Sequence, residues 1–256
     1  MSAILSARGI TKRFSGIAAL SEVDIEVEEG ERVGLIGPNG AGKTTFFNCI
    51  LGYLRPDRGI VELAGEDVSG LRVHERARRG IGRTFQRIEL FPDSTVRDHL
   101  VIADRVNSGR RRGIGDVLRL WRPDPDETAR TDEMLELLGL RELADEPIER
   151  LSLGQGRLVE VGRALMTNPR LLLLDEPSSG LDRLETGALA ATLRQVQEQR
   201  GFAILLVEHD IELVASFTTR CYLLDFGRLL RSGPTPEIME STEMRQAYLG
   251  DVEIPA

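Results

Sequence analysis

The chain has 256 residues, 41% of them apolar and 29% charged, an ordinary globular composition that excludes global disorder. Acidic residues outnumber basic ones, 41 to 33, which argues against a protein that coats nucleic acid. The longest apolar runs are too short to span a bilayer, and two cysteines, Cys49 and Cys221, supply neither a disulfide framework nor metal-ligand spacing.

The predicted elements begin with short alternating strands at residues 3–8 and 23–28, separated by turn signals. A compact apolar run at residues 32–36 then ends in a glycine cluster and reads as a buried parallel strand. Residues 43–51 continue as a helix. Between Thr95 and Arg150 no buried strand is expected. Residues 95–106 and 126–138 carry helical apolar spacing, with Gly139 as C-cap. Six arginines against one acid lie between Arg105 and Arg122. They read either as a solvated loop or as a surface for an anionic partner. A helix is expected over 156–166, a buried strand over 171–174, a helix over 184–200 and a further buried strand over 203–207. Strand, helix and strand with right-handed crossovers predict an α/β fold with a parallel sheet. No leader segment is evident at the start, so the expected compartment is the cytosol.

Gly37-Pro38-Asn39-Gly40-Ala41-Gly42-Lys43-Thr44, with Thr45 beside it, fits the phosphate-binding pattern G-x-x-x-x-G-K-[ST] at every fixed position. Glycines let backbone N–H groups face a polyphosphate, and the helix that follows points its positive end at the same anion. The Lys43 ammonium reaches the β- and γ-phosphates, and the Thr44 hydroxyl ligates Mg²⁺. Lys12 is the only other lysine in the chain. Leu171-Leu172-Leu173-Leu174-Asp175-Glu176 is an apolar strand ending in two acids. At such a strand end Asp175 holds a Mg²⁺-bound water, and Glu176 orients the attacking water as general base.

Four more segments complete a pattern: Thr84-Phe85-Gln86, Leu151-Ser152-Leu153-Gly154-Gln155, Ser178-Ser179-Gly180-Leu181-Asp182 and Glu208-His209-Asp210. With the phosphate loop and the acid pair, they resemble the ATP-binding-cassette (ABC) ATPases in order and spacing over essentially the whole chain. That resemblance implies a RecA-like core with an antiparallel β subdomain at the N-terminus and an inserted helical subdomain. The expected core is residues 1–87 and 160–256, and the insert about 88–159. It also implies roles. Gln86 senses the γ-phosphate and Mg²⁺, His209 contacts the γ-phosphate, and Asp182 lies at a dimer seam. Ser152, Gly154 and Gln155 act on ATP held by a second cassette. Phe14, 29 residues before Lys43, is placed like the family's adenine-stacking aromatic. Leu153 stands where the family's commonest signature has glycine.

Arg83-Thr84-Phe85-Gln86, the arginine-bearing insert, Val207-Glu208-His209-Asp210 and Ala247-Tyr248-Leu249-Gly250 are similar to the ATPases of branched-chain amino-acid importers. Urea or amide importers and lipopolysaccharide exporters share these short motifs, so the resemblance leaves the cargo open. Non-transport ABC ATPases carry coiled coils, zinc modules or a second cassette, and this sequence has none of these. The expected protein hydrolyses ATP with Mg²⁺ on the inner face of the membrane. Its expected partners are a second cassette, identical or related, and separate permease chains. The permeases would dock in a groove near residues 88–92, where Ile88, Leu90 and Phe91 are apolar. No nucleic-acid partner is expected.

Overall fold

In a computed structural model of the chain, residues 3–84, 90–91, 93–108 and 125–249 are described. Ala3–Phe14 (β1) and Ile17–Glu28 (β2) form an antiparallel hairpin, and Arg32–Ile36 (β3) leads through the glycine cluster into Lys43–Leu51 (α1). Arg58–Leu63 (β4) and Glu66–Asp67 (β5) are followed by Val73–Arg78 (α2) and Ile81–Arg83 (β6). Three helices come next: Val96–Ser108 (α3), Pro125–Leu137 (α4) and Leu153–Leu165 (α5). Leu171–Asp175 (β7), Arg183–Arg200 (α6), Ala203–Val207 (β8) and Ile211–Phe217 (α7) continue the alternation. The described chain closes with Arg220–Asp225 (β9), Arg228–Pro234 (β10), Thr235–Met239 (α8) and Thr242–Leu249 (α9).

One sheet is antiparallel, in the order β2-β1-β4-β5. The other has six strands, β10-β9-β3-β8-β7-β6, all parallel except for the β9–β10 hairpin at one edge. The architecture is the α/β, RecA-like one expected. The continuous apolar runs are explained by burial on both faces. Side chains alternate along β7: Leu171 and Leu173 pack with the antiparallel sheet and Phe46, Phe47 and Ile50 of α1. Leu172 and Leu174 face the opposite way, into a core shared with α3 to α7. In β8, Leu205 and Leu206 divide in the same manner.

The antiparallel strands run longer than expected. β1 continues past Arg8 through the polar stretch Thr11-Lys12-Arg13, because backbone pairing to β2 and β4 needs no apolar pattern. Register shifts along both pairings mark where the strands bend. α5 starts at Leu153, three residues before the expected position. Ser152 caps it: its Oγ accepts from the Gln155 N–H, while the Gln155 side chain accepts from the Ser152 N–H. That reciprocal capping box carries Gly154 and Gly156 inside the helix. Gly139 closes α4, its N–H donating to the Glu136 carbonyl. α3 and α4 are joined by the ion pairs Arg97–Asp132, Arg105–Glu127 and Arg130–Asp104. Arg105 is thereby an interhelical partner rather than part of an open basic surface.

The phosphate-loop helix is held at its far end by an almost fully buried arginine. Arg76 of α2 donates to the carbonyls of Cys49 and Ile50 at the end of α1, each at 2.7 Å, and to those of Ser69 and Leu71. These are helix-end acceptors that lack an intrahelical donor. A cation there also complements the negative end of the helix dipole. α1 is thus fixed at both ends, which keeps its positive end aimed at the candidate site.

Candidate active site

The carboxyl ends of β3, β7 and β8 lie side by side, and each carries one of the sequence-predicted loops. In open α/β sheets this end is where ligands bind. After β3 the chain turns through Gly37, at φ 149°, and reaches Gly42, at φ 106°, immediately before α1. Both positions demand glycine for space as well as conformation. A Cβ on Gly37 would overlap the Leu224 carbonyl oxygen, and one on Gly42 would stand 2.6 Å from the Ala19 carbonyl oxygen. Asn39 and Gly40 are exposed at the loop's tip, and Thr44 is exposed in the first turn of α1. Pro38, Ala41 and Thr45 complete the loop, with Ala41 accepting from the Gly227 N–H.

Lys43 is buried, and its Nζ donates to the carbonyls of Gly37 at 2.6 Å and Pro38 at 3.0 Å. Burial lowers its pKa, opposed by the charges of Glu176 and Asp175. Asp175 is shifted up, first by burial and then by Glu176, against the pull of Arg83 and Lys43. One buried cation and two carboxylates therefore share one electrostatic site. Glu176 is held at φ 47°, its N–H donating to the Val207 carbonyl of β8 at 2.9 Å. A non-glycine residue in that region costs roughly 1–2 kcal/mol. His209, exposed at the end of β8, brings its Nδ1 to 4.0 Å from Glu176 Oε1. The structure therefore brings Lys43, Asp175, Glu176 and His209 together.

Ser152, Gly154, Gln155, Asp182 and Phe14 sit at the ends of other elements. Ser152 is exposed and Leu153 is 41% exposed at the N-terminus of α5, while Gly154 lies against Glu185 of α6. Leu153 covers Gly180, so the bulky residue in the signature fills space over the neighbouring loop. Arg157 of α5 reaches the Ser179 carbonyl of the same loop at 3.4 Å. Asp182 is exposed and caps α6, its Oδ1 accepting from the Glu185 N–H at 2.8 Å. Phe14 ends β1 and is 45% exposed, with the Lys12 ammonium 5.7 Å from its ring centroid. Lys12 is itself fixed by Asp57 and the Arg55 carbonyl. The second lysine thus braces the exposed aromatic. Gln86, Ile88, Pro92 and residues 110–122 lie outside the described residues.

Two residues matter here that the sequence reading gave no role. The Tyr248 hydroxyl of α9 accepts from the Gly37 N–H at 3.0 Å, tying the end of the chain to the phosphate loop. Its only sequence signal is an aromatic within the terminal motif. Glu208 is fully buried behind His209 and binds two loops at once. Its charge hid the fact that it points inward.

Phe91 is 55% exposed and its N–H donates to Nε2 of the buried His99 at 2.9 Å. The other ring nitrogen, Nδ1, faces the Thr95 carbonyl at 2.8 Å. Together these bonds require a neutral ring protonated at Nδ1. Burial lowers the His99 pKa, as does Arg163, against the Thr95 bond and Asp98. Because the folded pKa lies below the ordinary 6.5, protons bind the unfolded chain first. Stability from this contact is fully present above pH 6.5 and is lost as pH falls through the lowered folded value. Acidification from pH 7.5 to 5.5 is expected to lower the urea midpoint more in the native chain than in His99→Gln. Equal losses in the two proteins would remove His99 as the cause.

The family model described as "ABC transporter" matches residues 20–179. The high-affinity branched-chain amino acid transport ATP-binding protein BraF of Pseudomonas aeruginosa is 37% identical over 97% of this chain and 98% of that protein. LivG of Escherichia coli, described in the same words, is 36% identical with the same coverage of both. Among solved structures, the ADP conformation of MJ1267, an ATP-binding cassette of an ABC transporter, superposes with a TM-score of 0.86. It is 29% identical, over 98% of this chain and all of that one.

Proposed function

This chain belongs to the ABC transporter family, whose cassettes bind and hydrolyse ATP, and we propose that it is the ATPase of an importer for branched-chain or related amino acids. The observation that carries the catalytic part is the convergence of Lys43, Asp175, Glu176 and His209 at the ends of three adjacent parallel strands. The cargo class is supported by relatives of that description that match the chain almost end to end.

In this reading the amides of residues 37–45 and the Lys43 ammonium bind the ATP phosphates, and the Phe14 ring stacks on adenine. Glu176 accepts the proton of the attacking water, and His209 and Gln86 contact the γ-phosphate. Thr44 and Asp175, with Gln86, are the Mg²⁺ ligands. Thr44 and Asp175 offer the oxygen donors that a hard cation takes, and no cluster of three or more His, Cys, Asp or Glu among the described residues could cage a metal alone. That donor set suits a cation sharing its shell with phosphate, where it would neutralise charge on the transferred group. Ser152, at the exposed N-terminus of α5, with the half-buried Gly154 and Gln155, contacts ATP on a second cassette, with Asp182 at the seam.

The division into a core of residues 1–87 and 160–256 and a helical insert of about 88–159 belongs to the same proposal. It is supported by α3, which packs on both α4 and α5. No helix among the described residues is long and apolar enough to cross a membrane, so permease chains would supply the pore. The exposed Phe91 and the half-buried Leu90 suit a docking groove for them, on the cytoplasmic membrane face. Affinity purification of the tagged chain from detergent-solubilised native membranes is expected to recover permease subunits and a second cassette. Recovery of no membrane protein, with or without ATP, would leave an ATPase without the importer.

A further inference from the structure

Glu208 follows β8 directly, at the point where the chain leaves the sheet for His209. It is 0% exposed. Oε1 accepts from the Ser178 N–H at 2.9 Å and the Ser178 Oγ–H at 2.6 Å. Oε2 accepts from the His209 N–H at 3.0 Å and the Asp210 N–H at 3.2 Å. Each oxygen thus serves a different loop. Oε1 holds the loop that leaves Glu176 and runs to Asp182, and Oε2 holds the loop that carries His209. Both loops also meet through the strained Glu176, whose N–H donates to Val207, the residue just before Glu208.

A buried carboxylate is an expensive way to fill space at a strand end. Here four donors satisfy it, three of them backbone amides, and the two from Ser178 are buried. The arrangement is specific to a carboxylate, because only two equivalent acceptor oxygens can take donors from both loops at once. An apolar residue would fill the volume and release both loops. A serine or threonine would not span them.

We infer that Glu208 is a positioning residue for hydrolysis: its carboxylate fixes the backbone of His209 to the loop after Glu176, so that the two side chains keep their spacing at the γ-phosphate. This rests on the roles proposed for Glu176 and His209. It adds a consequence that they do not carry alone. Movement of the Ser178–Asp182 loop, which leads to the proposed seam with a second cassette, is transmitted to His209 through the Glu208 side chain, alongside the Glu176–Val207 backbone bond.

Glu208→Gln tests this with volume unchanged. The amide keeps one acceptor, and its NH₂ must face donors of the other loop, so one loop is released. Steady-state ATP hydrolysis in the assembled complex is expected to lose about 10–100-fold in kcat while KM for ATP stays within about threefold, because the contacts of residues 37–45 are untouched. Glu208→Gln combined with His209→Ala is expected to be no more than about twofold slower than His209→Ala alone, since the effect runs through His209. Ser178→Ala removes only the hydroxyl bond and is expected to lose about three- to tenfold in kcat, again without multiplying with His209→Ala.

A Glu208→Gln protein that melts lower yet keeps kcat within twofold would overturn the inference and leave Glu208 as a fold residue. Losses that multiply in the double variant would overturn it as well. Should Glu208→Gln not fold, the Ser178→Ala cycle decides alone, and an unchanged kcat there counts against the inference. If His209→Ala itself hydrolyses ATP at the native rate, the reading of His209 fails and takes this inference with it. If His209→Ala is slow and Glu208→Gln is not, only the inference fails.

Discussion

Replacing Glu176 by glutamine is expected to leave nucleotide binding intact and to slow turnover by about 10²–10⁴-fold, the usual contribution of a positioned general base. In barrier terms that is roughly 3–5 kcal/mol. Glutamine has nearly the volume of glutamate and can hold the same backbone, whose N–H bond to Val207 does not involve the side chain. What is lost is the ability to take a proton from water. The neighbours respond in opposite directions: Lys43 loses one of the charges that hold its pKa up, while Asp175 is relieved of a like charge. Glu176 is one of the charges that push the Asp175 pKa up, second to burial, so neutralising it lets Asp175 ionise more readily. Asp175 is the proposed cation ligand, and its carboxylate form is the one that binds. With these two responses opposed, ATP affinity by calorimetry should be retained while phosphate release collapses. Unchanged phosphate release in an assembled complex would remove Glu176 from the role of base.

The same region shows why some of this molecule is legible in its sequence and some is not. Runs such as Leu171 to Leu174 declare themselves because both faces of β7 are buried, so every residue is apolar. The phosphate loop is legible because its constraints are local: the glycines, the lysine and the start of the helix lie within eight residues. The β9–β10 hairpin escaped the sequence reading. β9 is apolar and paired on both sides, but β10 is mostly exposed at the sheet edge and lacks any buried pattern. The extension of β1 through Thr11-Lys12-Arg13 escaped it for the same reason, since pairing rather than burial holds it.

Contacts between distant residues are the least legible. Tyr248 meets Gly37 across 211 positions, and nothing near either residue announces it. Glu208 was visible as part of the Glu208-His209-Asp210 motif, yet an acid after a strand normally faces water. Only the donors on two separate loops, 30 positions apart in the case of Ser178, show why this one turns inward. The antiparallel sheet, by contrast, was foreseen in kind from the resemblance and corrected only in length.

Lys43→Ala is expected to act on the opposite quantity from Glu176→Gln, weakening ATP binding by about 10²-fold. A hydrogen bond to a charged group contributes about 1.5–3 kcal/mol, and two phosphate contacts would exceed that loss were they made from water. They are not. The ammonium donates to the Gly37 and Pro38 carbonyls, so phosphate oxygens compete with bonds it already makes and only the difference counts toward affinity. Protonation adds a second signature. Burial lowers the Lys43 pKa, with Glu176 and Asp175 holding it up, and only the ammonium can bind phosphate. ATP affinity of the native chain should accordingly fall as pH rises through that lowered pKa, earlier than an exposed lysine at 10.5 would allow. Phosphate charge in turn raises the pKa of the bound form, so binding takes up protons on that alkaline limb. In Lys43→Ala the limb should vanish along with most of the affinity. Calorimetric titration with ATP across that pH range reads both effects. Tight binding by Lys43→Ala, or an alkaline limb that survives the substitution, would show that Lys43 is not the phosphate ligand.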